Sequence, residues 1–146
     1  PEQAHRISLG AETLSLQVAQ TSATALALAR FLDAHPAVGK VHYPMLESHP
    51  QHALAVRHFK AGSWLLAFEL HDSARMPAML DRLQLAIKAT GLGDNRTLVI
   101  PVAPTIYWEA GPVVRAEMGI ADGLVRVSVG LESADELIAD FEQAIA

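Results

Sequence analysis

The eleven residues Asp122-Gly-Leu-Val-Arg-Val-Ser-Val-Gly-Leu-Glu132 restrict the fold more than any other stretch of this chain. Val125, Val127 and Val129 alternate with Leu124, Arg126 and Ser128. That period of two belongs to a strand with one face buried. The valines supply the core face, so Arg126 and Ser128 point to the opposite side. Guanidinium groups are rarely buried alone, and the planar fork of Arg126 suits a carboxylate held by two parallel hydrogen bonds. That carboxylate is either an Asp or Glu of the same chain or a group brought by a ligand.

A strand of this kind needs a core around it, and 146 residues with 51% hydrophobic content supply one for a single domain. The net charge of −5 is made of scattered signs and gives no basic patch for nucleic acid. With no cysteine, disulfides and thiolate metal sites are excluded, and a cytoplasmic location is the expectation. No apolar run approaches the ~18 residues of a membrane span, and no signal-peptide pattern opens the chain. Its first residue, Pro1, fits a piece of a longer parent.

In chain order, Pro1 to Gly10 carries weak local signals, and a long helix is expected from Ala11 to Ala34. Leu14, Val18, Thr21, Ala25, Leu28 and Leu32 lie on its inner face, and Pro36 ends it. A short strand carries Val41 and Tyr43 and stops at Pro44. Ser48 then caps a helix that has Pro50 in its first turn. Trp64, Leu66, Phe68 and Leu70 form one face of the next strand. A helix over 73–85 buries Met76, Met79, Leu80 and Leu83, with the methionines as core filling. Strands follow over 85–90 and 97–103, then a short helix over 111–119 closed by Gly119. The last helix opens with a capping box, Ser133-x-x-Glu136, and buries Leu137, Ile138, Phe141 and Ile145. Short one-faced strands between helices indicate an α+β sandwich, with helices packed on a small, largely antiparallel sheet.

Two clusters suggest chemistry and fall short of it. His42, His49, His52 and His58 have no metal-ligand spacing, so they read as surface histidines, some of them capping turns. Gly91-x-Gly93 matches neither phosphate-loop pattern.

The segment from Gly119 to Asp140 resembles the end of the Cys/Met-metabolism (transsulfuration) family of pyridoxal-phosphate enzymes. Ala-His-Pro-x-Val, Val-x-Tyr-Pro and Ser-His-Pro-Gln-His, found here between Ala34 and His52, are phrases of the same family. That family includes cystathionine γ-synthase, the cystathionine lyases and methionine γ-lyase. The resemblance implies the small C-terminal domain of a fold-type I enzyme spanning residues 1–146, with the large cofactor domain absent. It implies that Arg126 binds the α-carboxylate of a sulfur-containing amino acid. It also implies a homo-oligomeric parent that uses pyridoxal phosphate as an electron sink on a lysine. Lys40, Lys60 and Lys88 are not in the context of that lysine, so the isolated chain is expected to be inactive.

Departures from the family pattern are informative. The helix phrase Leu-Arg-Met-x-Arg-His reads Leu16, Gln17, Val18, Ala19, Gln20, Thr21 here. The serine that helps hold the carboxylate is replaced by Gly91, leaving the backbone N–H of Gly91 or Leu92 as the donor. A His-Pro-Ala-x-x-Thr-His loop is replaced by Pro104-Thr-Ile-Tyr-Trp-Glu109, where Tyr107 lines a substrate pocket or serves an interface or the core. A free-standing interaction or regulatory module is the alternative function, favoured by the lost serine, arginines and histidine and disfavoured by the retained Arg126.

Overall fold

The computed structural model describes residues 1–146. Its elements are α1 (Glu2–Glu12), α2 (Leu14–Ala34), β1 (Val38–His42), α3 (His52–His58), β2 (Leu65–Leu70), a 3₁₀ turn (Ser73–Arg75), α4 (Met76–Arg82), β3 (Ile87–Lys88), β4 (Leu98–Pro101), α5 (Gly111–Glu117), β5 (Leu124–Ser128) and α6 (Ala134–Ile145). The five strands form one sheet in the order β1-β2-β5-β4-β3. Three pairings are antiparallel and only β3 with β4 is parallel. This is the α+β sandwich expected from the sequence.

β5 occupies the centre because both its edges are paired, with Ala67 of β2 and Ile100 of β4 flanking Arg126. Val125, Val127 and Val129 are almost wholly buried, beside Leu66, Phe68 and Leu70 of β2. Helices α2, α4 and α6 cover this face through Ala25, Leu28, Ala29 and Leu32, Met76 and Met79, and Leu137, Phe141 and Ile145. Ala25 and Ala29 let α2 approach closely, and Phe68 meets Phe141 edge to face with ring centroids 6.1 Å apart. The opposite sheet face carries His42, Ala67, Arg126 and Ile100 in one cross-strand row.

Several boundaries differ from expectation. Residues 2–10 are helical, and the break falls at Thr13 rather than before Ala11. Leu14 is exposed and burial on α2 starts at Thr21, because α1 buries no residue and brings no core to that end. Ser48 does not cap α3, which starts at His52; its hydroxyl donates to Asp33 Oδ2 at 2.9 Å instead. Ser133 makes no side-chain cap on α6, although the helix starts where the capping-box spacing places it. The helix expected over 73–85 is a 3₁₀ turn followed by α4, which ends at Arg82. It stops there because the backbone N–H groups of Gln84, Leu85 and Ala86 turn onto the buried Asp140 carboxylate, at 2.8, 3.0 and 3.0 Å. Leu83, just past the end of α4, and Ile138 of α6 are only half-buried. The strands expected over 85–90 and 97–103 shorten to β3 and β4.

Candidate functional site

Arg126 stands on the face of the central strand turned away from the three helices, half-buried beside Ile100, with its neighbours Val125 and Val127 anchored in the core. The strand therefore holds its Cα in place while the side chain, buried as far as Nε, reaches toward the 90–97 loop. No carboxylate of the chain pairs with it; the six ion pairs all lie elsewhere. An internal Asp or Glu partner, one of the two possibilities left by the sequence, is absent. Instead Nη2 donates to the backbone carbonyls of Thr90 at 2.7 Å and Gly91 at 3.1 Å. Nε is buried without a partner, and Nη1 makes no hydrogen bond within the chain. Burial lowers the guanidinium's pKa from its ordinary value, yet arginine keeps its charge in proteins. The result is a fixed, uncompensated cation with one end clipped to a loop.

That loop, residues 90–97, takes its polar partners in step along a single segment. Thr90 and Gly91 meet Arg126, and Gly93 N–H donates to Ser128 Oγ at 3.1 Å. Leu131 N–H donates to Asn95 O at 2.8 Å. Thr97 donates through its N–H and its hydroxyl to the two carboxylate oxygens of Glu132, both at 2.7 Å. Gly130 N–H donates to Thr97 Oγ1 at 2.9 Å. A Cβ on Gly130 would lie 2.4 Å from Asn95 O, so only glycine admits this approach. Gly93 adopts φ +70, the left-handed region where glycine is at ease. A Cβ on Gly91 would meet Leu98 Cδ1 at 2.9 Å, which places the loop directly over β4.

Gly91 and Leu92 are exposed, and neither N–H donates within the chain. Both lie within two residues of the Thr90 carbonyl that Arg126 grips, so the structure brings Arg126, Gly91 and Leu92 into one neighbourhood. Tyr107 is half-buried on the turn that follows β4, and no hydrogen bond joins it to Arg126 or to the 90–97 loop. Ser128, Thr97 and Glu132 were given no role in the sequence reading. The signal existed: residues 126, 128, 130 and 132 continue one alternation onto the face that carries Arg126.

His42 and His49 take separate partners. His42 Nε2 lies 2.5 Å from Glu69 Oε1, and His49 Nδ1 accepts from Gln51 N–H at 3.2 Å, a turn-capping contact. Burial, then the charges of His42, Lys40 and His52, lowers the pKa of His49. No three His, Cys, Asp or Glu side chains converge as a metal site, and no helix is long and apolar enough to cross a membrane.

The family model described as "Cys/Met metabolism PLP-dependent enzyme" matches residues 1–146. An O-succinylhomoserine sulfhydrylase of Mycobacterium tuberculosis is 42% identical over 142 residues, 94% of this chain and 35% of that protein. A chloroplastic cystathionine gamma-synthase of Nicotiana tabacum is 38% identical over 146 residues, 99% of this chain and 27% of the relative. A Campylobacter jejuni structure described as an O-acetylhomoserine (thiol)-lyase, carrying N'-pyridoxyl-lysine-5'-monophosphate, superposes with a TM-score of 0.89 at 37% identity, over 94% of this chain and 33% of that one. Cystathionine gamma synthase of Xanthomonas oryzae in complex with cystathionine gives a TM-score of 0.85 at 35% identity, over 91% of this chain and 35% of the other. The chain thus spans about a third of the length of these relatives. Pyridoxal phosphate requires a lysine and a phosphate cradle. Lys40 and Lys60 are exposed, Lys88 is paired with Asp81 at 2.6 Å, and none lines a principal cleft. The residues of these 146 positions do not by themselves make that cofactor site.

Proposed function

The chain belongs to the Cys/Met-metabolism family of pyridoxal-phosphate-dependent enzymes, and on that footing we propose that it is the C-terminal domain of such an enzyme, with Arg126 holding the α-carboxylate of a sulfur-containing amino acid. One observation carries the assignment: Arg126 is a cation mounted on the central strand, half-buried, with no carboxylate partner of its own. The carboxylate joins it from outside, at Nη1 and with the free N–H groups of Gly91 and Leu92 as further donors. Charged hydrogen bonds of this kind are the strong ones, and a guanidinium clipped at Nη2 fixes where Nη1 meets the carboxylate, which sets the orientation of the amino acid as well as its affinity.

Pyridoxal phosphate supplies the electron sink in these enzymes. The share of this chain is binding and orientation, with Tyr107 placed on the rim of the substrate pocket. The parent is a homo-oligomer in the cytoplasm on this reading. The exposed apolar side chains Ile106, Trp108, Val113 and Met118 support burial against further protein.

The test is Arg126→Lys and Arg126→Ala in the full-length protein. Loss of a charge-assisted pair costs ~1.5–3 kcal/mol, so kcat/KM for the amino acid should fall roughly 10- to 100-fold. Values within twofold of the parent protein would overturn the assignment. The isolated 146-residue chain is expected to retain no pyridoxal phosphate through gel filtration and to show no turnover.

A further inference from the structure

We propose that Ser128 is a positioning residue for the carboxylate-binding arginine, acting through the backbone of the 90–93 loop; the inference rests on the assignment of Arg126 just given. The Ser128 side chain is fully buried, and its hydroxyl oxygen accepts the Gly93 N–H. Two residues earlier on the same face, Arg126 spends both protons of Nη2 on the carbonyls of Thr90 and Gly91. The loop is thereby attached to β5 at two points, and the guanidinium plane is set by where those carbonyls stand.

Between the Arg126 grip and the Asn95–Leu131 contact, Gly93 N–H to Ser128 Oγ is the only hydrogen bond from the loop to β5. Asp94 adds none, since its carboxylate is turned onto Arg96. Gly93 is exposed, so when the serine hydroxyl is removed its N–H can turn to solvent at little cost in stability. What water does not replace is the fixed distance from Ser128 to the loop. Without it the Thr90 and Gly91 carbonyls shift, and Nη1 no longer points to one place. The effect falls on recognition of the carboxylate and spares the fold.

The experiment compares binding of the amino-acid substrate with binding of its decarboxylated amine to full-length holoenzyme. Ser128→Ala should weaken the amino acid about 5- to 10-fold, the equivalent of one lost hydrogen bond, and leave the amine within twofold. Ser128→Thr, which keeps the acceptor, should restore the preference. Should the alanine variant fail to fold, Ser128→Cys, a weaker acceptor of similar size, should show the same loss in smaller degree. Equal weakening of acid and amine, or no weakening of either, overturns the inference. Arg126→Lys separates the two levels. If it abolishes the acid-over-amine preference and Ser128→Ala leaves that preference undiminished, the positioning role fails while the arginine assignment stands. If Arg126→Lys leaves the preference intact, the arginine assignment itself has failed.

Discussion

Tyr43 shows how tightly single residues are held in this domain. It is fully buried, and its hydroxyl reaches the carbonyls of Ser63 at 2.9 Å and Ser22 at 3.3 Å. Burial pushes its pKa up to about 12. A Cβ on Gly62 would lie only 2.0 Å from that hydroxyl, so the glycine is there for space. Tyr43→Phe removes the one hydroxyl proton that these carbonyls share, a cost of about 1 kcal/mol by urea denaturation. Gly62→Ala should cost more, since the tyrosine ring has no room to retreat. Arg126 is the opposite case, a residue whose strongest group has no internal carboxylate to satisfy it.

At the scale of elements, Asp140 joins α6 to the turn between α4 and β3. Burial raises its pKa, but the backbone N–H groups of Ala86, Gln84 and Leu85, with the Gln143 amide, outweigh this and hold it below the ordinary 3.8. The unfolded chain therefore binds a proton more readily than the folded one, and stability rises with pH through that window. The contribution is complete above the ordinary 3.8 and is lost as pH falls through the lower folded value. Asp140→Asn should flatten the acid limb of stability against pH, measured as denaturation midpoints between about pH 2 and 6. Unchanged pH dependence would show that the carboxylate does not hold the turn. Element α1 is the contrasting piece, because it buries nothing. Removing residues 1–12 should change unfolding free energy by less than about 0.5 kcal/mol.

For the molecule as a whole, one sheet face is closed by three helices, and the other, with Leu98, Ile100, Arg126 and Ser128, has no helix of the main core on it and carries the 90–97 loop. That asymmetry fits the proposal that this domain is completed by further protein, although antiparallel sheets also face solvent on one side. The relatives, about three times as long, are consistent with such completion.

Much of this could be read from the chain itself. Period-two alternation placed β2 and β5, and the valine run assigned the core face, because a pleated strand offers its side chains only two directions. The same alternation put Arg126 on the far side, and the surrounding phrases carried the family resemblance. Capping was read poorly. Ser48 and Ser133 have the right chemistry, but a hydroxyl takes the partner that tertiary contact brings, and for Ser48 that was Asp33. The end of α4 was likewise decided by Asp140, 54 to 56 residues distant in sequence. The partners of Arg126 lie 35 and 36 residues away and are backbone carbonyls, which every residue possesses and no side-chain pattern marks. Local periodicity determines which face a residue occupies; only the folded chain decides which distant peptide groups will meet it there.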